Sequence, residues 1–266
     1  MKKFLLSVFL CVFAGAAFSQ TADEVINKFM EASGGKEKLK AINTLQYTQT
    51  INMKTPMGDF AMPMQFYREK NKLFRMQASM QIGPQSLDFF TVVTDTAGYI
   101  KLPELPMLGS NGGTKKMEEK DRAAQTFQSD PAGLFAGLVD YGSKGSKVEL
   151  LPHEKVNSED CYQVKYTSKA GDEVIYFISK ATNLVVRADT KGGMAANLSG
   201  FSSLMGGAEG QAQKVDVSAF FSDYEEVKGV KLPLKSVIKN QMGDAESAIT
   251  NIKINEPIEA KWYKAE

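Results

Sequence analysis

The residues that could do chemistry in this sequence are few and lie far apart. The chain has one histidine, His153, in the stretch LPHEKV. A catalytic histidine needs a nucleophile beside it, and the G-x-S-x-G motif that presents a serine nucleophile is absent. A zinc site needs several cysteine or histidine ligands at short spacings, and neither a cysteine cluster nor an H-E-x-x-H pattern occurs. We therefore expect His153 to be a partly exposed strand residue.

Acidic pairs and glycine-rich stretches are also poor candidates for a catalytic site. The pairs at Glu118 and Glu225 lie among other charged residues, and adjacent residues of a strand point to opposite faces. The stretches GSNGG and KGGMAANLSG lack the lysine and the strand–helix context of a phosphate-binding loop. We expect no enzyme, no metal and no cofactor. A hydrolase with an unrecognised site, using His153 as its base, is the remaining catalytic alternative.

The most informative chemistry is apolar and lies in DFAMPMQFYREKNKLFRMQASM, which predicts two strands around the charged turn REKNK. Methionine and phenylalanine occupy alternate positions, so they share one face, and methionine suits a soft, adaptable surface. The pattern leaves two interpretations open: the face packs against the chain's own helix, or it holds an apolar ligand. The candidate ligand-binding residues, hereafter the methionine stripe, are Phe60, Met62, Met64, Phe66, Phe74, Met76, Met80 and Phe89.

Two long loops are expected where a lid would lie, around residues 102–115 and 191–214. The second is rich in glycine, serine and alanine. Apolar residues in the loops of an exported protein indicate contact with a partner, a ligand or a membrane. The candidate lid residues are Met194, Leu198, Phe201, Leu204 and Met205.

Residues 1–20 have the pattern of a signal peptide. Lys2 and Lys3 precede the apolar run FLLSVFLCVFAGAAF, which is too short to span a membrane, and AFS offers small residues to a signal peptidase. We expect cleavage just before or just after Gln20, and export to the periplasm, with secretion as an alternative. Because Leu10 precedes Cys11, we interpret Cys11 as an ordinary residue of the apolar run, and a lipid anchor as the second interpretation.

Charge and cysteine content narrow the possibilities further. Loss of the two N-terminal lysines leaves 30 of the 32 basic residues against 31 acidic ones, so the mature chain is nearly neutral. A neutral chain lacks the positive field that nucleic-acid binding requires. Cys161 then stands alone, which allows no internal disulfide, and we expect it to be a small buried residue of a strand.

Local patterns predict a mainly β chain with helices at its start and in its middle. Thr21 and Glu24 mark the start of a first helix, and Gly34 and Gly35 its end. A short helix at KEKLKAI follows, and period-two alternation predicts roughly a dozen strands around a helical interlude over MEEKDRAAQTFQ and PAGLFAGLVDYG. Strands and helices do not alternate, which excludes a parallel doubly wound sheet. We expect one large curved antiparallel sheet, an incomplete β-barrel with helices plugging its concave face, in a single domain over 21–266.

Six stretches carry a resemblance when they are taken in chain order: TADEVINKFMEASGGKEKLKAINTL, FYREKNKLFRMQ, DTAGYIKLP, YFISKATNLVVRADT, YEEVKGVKLPLKSVIKN and ITNIKINEPI. Together they resemble the periplasmic outer-membrane lipoprotein-sorting proteins, the LolA-like group, in particular the versions found in Bacteroidetes-type genomes. The strongest is GVKLPLKSVIKN followed by ITNIKINEPI: a turn, a strand entered through Pro233, and a closing strand. The resemblance runs from about Ala22 to about Ile258.

The resemblance implies an apolar hollow between curved sheet and helices that takes the acyl chains of a lipid or lipoprotein, with inner- or outer-membrane proteins as further partners. In some carriers of this group a basic residue tethers the helical lid. Arg68 and Arg75 are candidates by location, and solvation of the hairpin is the alternative role for both. The loop 191–214 is longer and richer in glycine than a minimal carrier needs.

Three hypotheses follow. The leading one is a monomeric periplasmic carrier with acyl chains on the methionine stripe, for which Met64→Glu should abolish lipid binding and still allow folding. The second is a non-catalytic envelope protein-interaction module that uses the 191–214 loop or a sheet edge. The third is the hydrolase with His153 as its base.

Overall fold

In a computed structural model of the chain, the structure describes residues 20–55, 58–82, 85–105, 110–132, 135–169, 171–190, 216–240 and 243–265. The predicted signal peptide, apart from Gln20, lies outside these ranges. So do the candidate lid residues Met194, Leu198, Phe201, Leu204 and Met205, whose proposed role therefore stays a prediction.

The chain begins with two helices, and the first begins and ends at the residues that the sequence predicts. Helix α1 spans Ala22–Ala32 and α2 spans Lys36–Lys40. Thr21 Oγ1 accepts a hydrogen bond from the Glu24 N–H at 3.2 Å, and the Glu24 carboxylate accepts one from the Thr21 N–H at 3.1 Å. The capping box is thus confirmed. The apolar face of α1 is buried through Val25, Ile26, Phe29 and Met30.

Within the described ranges, thirteen strands form one sheet. The first six are β1 (Thr44–Thr55), β2 (Gly58–Glu69), β3 (Leu73–Ile82), β4 (Gln85–Thr94), β5 (Gly98–Leu105) and β6 (Ser110–Lys116). Helix α3 (Glu119–Gln125) and a 3-10 helix (Thr126–Ser129) follow. The remaining strands are β7 (Lys147–Val156), β8 (Glu159–Thr167), β9 (Glu173–Ser179), β10 (Val185–Thr190), β11 (Val217–Val227), β12 (Val230–Asn240) and β13 (Gly243–Ile254), before a last 3-10 helix (Ala260–Tyr263).

The strand order is β6-β5-β4-β3-β2-β1-β13-β12-β11-β10-β9-β8-β7, and neighbouring strands pair antiparallel. Strands β6 and β7 form the two edges, so the sheet is open. The predicted fold class, one large antiparallel sheet of about a dozen strands in an incomplete barrel, is confirmed.

One face of the sheet, hereafter the inner face, carries the main hydrophobic core. Met64 pairs with Ala78 and Phe66 with Met76, so these four side chains share that face. The same core contains Tyr176 and Phe221 from the other half of the sheet, together with α1. Both halves of the sheet therefore contribute side chains to one core, which also contains the apolar face of α1.

The middle of the inner face is filled by a segment between α3 and β7, residues 126–132 and 135–145, hereafter the plug segment. Phe135 makes edge-to-face contacts with Phe29, Tyr176 and Phe221 at ring-centroid distances of 5.7, 6.1 and 5.0 Å. Ala132, Leu138 and Val139 are also buried in the core. The plug segment thus joins α1 to β9 and β11.

Two predictions of local structure were wrong. The described part of PAGLFAGLVDYG forms successive turns instead of a helix, because glycines interrupt it and Asp140 has a positive φ of 56°. The expected loop over 102–115 is mostly strand, since β5 reaches Leu105 and β6 begins at Ser110. At a sheet edge, Gly112 and Gly113 can keep positive φ angles without disturbing a second neighbour.

After β13 the chain crosses the opposite, outer face of the sheet. Residues 256–265, hereafter the strap, lie against β1 to β4 and contain the last 3-10 helix. The sequence patterns did not predict this return.

Candidate functional site

The structure brings the methionine stripe together on the inner face. Met64 is 0% exposed and Met76 is 1% exposed, so these two members of the stripe are enclosed in the core. For Phe60 and Met80 only the strand positions are described. The other buried members are Met62, Phe66, Phe74 and Phe89.

The plug segment covers this part of the sheet. Its 3-10 helix, Thr126–Ser129, lies against β2, β3 and β4, whereas α1 lies against β7 and β8 at the far edge. Tyr47 adds to the apolar surface by stacking on Phe66, with ring centroids 4.8 Å apart and an interplanar angle of 10°. Within the described ranges, the plug segment lies over this part of the stripe, and a ligand bound there would have to displace it.

Arg68 connects the stripe to the plug segment. Its Nη1 donates to the Gln128 carbonyl oxygen at 3.1 Å, and its Nη2 donates to the Tyr47 hydroxyl at 3.5 Å. The guanidinium lies 5.4 Å from the centre of the Phe74 ring. The side chain is buried, which contradicts its solvation in the hairpin, because position 68 points to the inner face.

The charge of Arg68 is poorly compensated. The buried Nε has no hydrogen-bond partner, and no carboxylate within the described ranges forms an ion pair with this side chain. A buried charge held mainly by one carbonyl and one hydroxyl costs free energy that an apolar residue of similar size would not. Arg68 therefore attaches the plug segment to the sheet but adds little to the free energy of unfolding.

Arg75, the second candidate, is also buried, but it lies on the outer face and contacts the strap. Of the two arginines, only Arg68 reaches the plug segment.

Comparison with known proteins identifies the architecture. No model of a known protein family matches the sequence, and no curated protein matches it. A solved structure of a LolA superfamily protein from Nitrosomonas europaea superposes with a TM-score of 0.55 at 10% identity, covering 92% of this chain and 99% of that one. The chain has the LolA-like fold. At this identity the likeness concerns the fold alone.

Two other solved structures are similar over most of their length at lower TM-scores. A DUF1329 family protein from Desulfovibrio piger gives 0.49 at 12% identity, covering 90% of this chain and 97% of that one. A Vibrio parahaemolyticus domain named for outer membrane lipoprotein sorting gives 0.44 at 12% identity, covering 90% and 94%.

Ion pairs also hold the plug segment of this LolA-like fold in place. Lys144 Nζ lies 2.5 Å from an Asp130 carboxylate oxygen and donates to the Ala136 carbonyl at 2.6 Å. Asp140 contacts Lys40 of α2 at 2.7 Å. The Tyr141 hydroxyl donates to the Asp23 carboxylate of α1, and this bond raises the pKa of Tyr141 to about 12. The segment is therefore attached to both N-terminal helices by polar contacts at the surface.

Acid should weaken one of these attachments. The hydrogen bond from Lys40 holds the pKa of Asp140 below its ordinary value of 3.8. A depressed carboxyl pKa contributes stability above the unfolded-state pKa, and the contribution is lost as pH falls through the folded-state pKa. Asparagine tolerates the positive φ at position 140. When the pH is lowered from about 5 to about 3, the free energy of unfolding measured with urea should therefore fall less in Asp140→Asn than in the wild type. Equal losses in the two proteins would contradict this role for Asp140.

A row of polar side chains crosses the inner face and was missed by the sequence patterns. Gln49, on β1, is buried, and its Nε2 donates to Ser247 Oγ at 2.8 Å. Ser247 Oγ lies 3.1 Å from Ser236 Oγ on β12. The signal that could have revealed this row is a polar residue at an inward position of an alternating strand.

The remaining candidates for chemistry behave as simple strand residues. His153 is exposed on the edge strand β7, and the Cys161 thiol is buried, which raises its pKa. Within the described ranges, no group of three histidine, cysteine or acidic residues could hold a metal ion. No helix in the part of the chain that the structure describes is long and apolar enough to cross a membrane.

The sheet edges are poor sites for pairing with another strand. On β7, the register is irregular between Leu151 and Glu154, and Pro152 supplies no N–H. On β6, Gly112 and Gly113 have positive φ. Protein interaction through a sheet edge is therefore disfavoured.

Proposed function

We propose that this protein is a carrier of lipid or lipoprotein acyl chains in the cell envelope, and that the chains lie on the methionine stripe once the plug segment moves aside. The observation that carries the proposal is Arg68, a buried cation on the inner face whose main attachment is the Gln128 carbonyl of the plug segment. The LolA-like fold supports it, since the fold provides one apolar face and a helical cover.

The physical need for such a carrier is large. Each methylene transferred from water to an apolar environment is worth about 0.8 kcal/mol, so an acyl anchor cannot cross an aqueous compartment exposed. Methionine and phenylalanine suit the task because a flexible thioether adapts to acyl chains of different shape. The stripe offers three buried methionines, Met62, Met64 and Met76, beside Phe66 and Phe74.

The plug segment is suited to opening. Between Gly137 and Gly145 it consists of turns instead of long regular elements, and the ion pairs that attach it to α2, from Asp140 to Lys36 and Lys40, lie at the surface. Surface pairs contribute at most about 1 kcal/mol each, and segments with few regular hydrogen bonds open more easily than strands of a sheet. We propose that an acyl chain takes the place of the 3-10 helix Thr126–Ser129 against β2, β3 and β4 when the segment moves.

A titration with a pyrene-labelled fatty acid tests the proposal. Delipidated mature protein should bind the probe saturably, and unlabelled fatty acid should displace it, because both occupy the same apolar face. His153→Ala should bind equally well, since the histidine lies outside the inner face. Absence of saturable binding, or turnover of an ester probe that His153→Ala abolishes, would contradict the carrier and favour the hydrolase.

A further inference from the structure

The strap is attached to the outer face of the sheet mainly by side chains of the sheet. At its start, Thr44 Oγ1 donates to the Glu256 carbonyl at 2.7 Å, and Gln46 Nε2 donates to the Glu256 and Pro257 carbonyls at 3.1 and 3.2 Å. No strand pairing joins residues 256–265 to β1 to β4. The contacts thus resemble those of a docked peptide more than those of a fourteenth strand.

Aromatic side chains of the strap occupy the outer face of β2 and β3. The Trp262 ring stacks on Tyr67 with centroids 4.7 Å apart and an interplanar angle of 22°, and the Tyr263 hydroxyl donates to the Glu69 carboxylate. A small apolar cluster, separate from the inner-face core, lies beneath the strap. It comprises Leu73, Phe90 and Val92, against which Ile258, Tyr263 and Ala265 pack.

Arg75 lies at the centre of these contacts. Its guanidinium is 4.7 Å from the Phe90 ring centre and 5.4 Å from that of Trp262, so it lies between the sheet and the strap. Its Nη1 donates to the Lys264 carbonyl at 2.6 Å and to the Trp262 carbonyl at 3.4 Å. The side chain is 3% exposed, and this burial lowers its pKa.

The sheet itself offers Arg75 little compensation. Within the described ranges its partner from the sheet is the Gln77 amide oxygen, at 2.8 Å from Nε, and no carboxylate forms an ion pair with it. The main-chain carbonyls of the strap supply the other acceptors. A guanidinium that donates hydrogen bonds to main-chain carbonyls, beside aromatic rings that offer a stacking surface, is suited to bind an extended segment with aromatic side chains.

Arg187, on the same outer face, is an arginine whose charge is compensated by a carboxylate of the sheet itself. Its guanidinium also lies between two aromatic rings, 4.6 Å from Phe177 and 5.4 Å from Phe220. It forms two hydrogen bonds with Asp189, two residues away on the same strand, at 2.7 and 2.5 Å. Arg187 is thus compensated within the sheet, whereas Arg75 depends on the strap.

We propose that the outer face of β2 to β4 is a peptide-binding site, that the strap is its intramolecular occupant, and that an extended partner segment with two adjacent aromatic residues can exchange with the strap. Tyr67 and Phe90 form the aromatic surface of the site, and Arg75 donates hydrogen bonds to the main-chain carbonyls of the bound segment. The proposal is independent of the carrier function, because the site lies on the face opposite the methionine stripe.

The single tryptophan of the chain allows a direct test. In a full mature chain with Trp262→Ala the strap loses its stacked ring, and the protein contains no tryptophan. A synthetic peptide EPIEAKWYKA, the sequence of residues 256–265, is then the only source of tryptophan fluorescence. We expect a saturable blue shift of the peptide emission on titration with this variant, and no shift with a scrambled peptide.

Two arginine substitutions distinguish specific peptide binding from nonspecific binding. Adding Arg75→Met to Trp262→Ala should weaken peptide binding at least tenfold, because the carbonyl donor is lost. Arg187→Met in the same background is the matched control and should leave binding unchanged. The proposal is overturned if folded Trp262→Ala protein does not bind the peptide, if Arg75→Met leaves binding unchanged, or if Trp262→Ala prevents folding, since an exchangeable strap cannot be essential to the fold.

Discussion

Arg68→Met should raise the affinity for the pyrene-labelled fatty acid by about tenfold and change the free energy of unfolding by less than about 1 kcal/mol. Methionine keeps an apolar stem of similar length beside Phe74 but cannot donate to the Gln128 carbonyl. A hydrogen bond from a charged group is worth about 1.5–3 kcal/mol, and about 1.4 kcal/mol changes an equilibrium tenfold. The open form of the plug segment becomes more populated, so the apparent affinity for its ligand rises.

Arg75→Met is the matched control for this prediction. Arg75 is also buried, on the neighbouring strand, and also lies against an aromatic ring, but it contacts the strap instead of the plug segment. It should therefore leave probe affinity unchanged. If Arg68→Met lowered probe affinity, or if both variants changed it equally, attachment of the plug segment by Arg68 would not control access to the stripe.

Phe135→Ala should lower the free energy of unfolding by about 3–5 kcal/mol, because the ring fills the middle of the inner-face core. Its side chain is 6% exposed and contacts rings of α1, β9 and β11. Alanine would remove all three edge-to-face contacts and leave a cavity between the sheet and α1. Urea unfolding followed by far-ultraviolet circular dichroism measures the loss.

Phe220→Ala provides the comparison. Phe220 is a partly exposed ring on the outer face, where Arg187 and Lys239 lie over it. Its removal should cost less than about 2 kcal/mol. Equal losses for the two phenylalanines would show that the plug segment does not anchor the two halves of the sheet, and the account of the core would fail.

The fold was predictable wherever the signal is local. A capping box, glycines after the helix and period-two alternation depend on residues within a few positions of one another, and the structure confirms α1 and the long antiparallel order of strands. The turn that opens GVKLPLKSVIKN, at Gly229, was equally predictable, because turn chemistry is local.

The plug segment and the strap were not predictable because tertiary contacts determine them. PAGLFAGLVDYG has helix-like apolar spacing, yet its position is set by the contacts of Phe135 with α1, β9 and β11. The strap contains a proline and several charged residues, and its position depends on Tyr67 and Arg75, nearly two hundred residues earlier in the chain.

The two arginines illustrate the same difficulty. Arg68 and Arg75 both flank a charged turn, where arginine is usually solvated, and alternation places them on opposite faces. Their burial depends on what covers each face, and neither the plug segment nor the strap is local to them. Sequence reasoning could therefore name Arg68 as a candidate tether but could not choose it over Arg75.

The methionine stripe was correctly assigned to one face, but the expected behaviour of Met64→Glu has to be revised. With Met64 fully buried, glutamate would place a charge without a partner in the core, which costs several kcal/mol. Such a variant would lose lipid binding by unfolding as readily as by blocking the ligand. The Arg68→Met and Phe135→Ala variants separate these effects.

Mass spectrometry of lipids extracted from the protein, purified without detergent from the envelope fraction of its native host, is the sharpest test of the proposed carrier function. We expect acylated species in a stoichiometric amount, and less of them when the protein is purified after competition with excess fatty acid. A lipid-free protein that also fails to bind the pyrene-labelled fatty acid would contradict the account, and would show that the methionine stripe is ordinary core beneath a permanent plug segment.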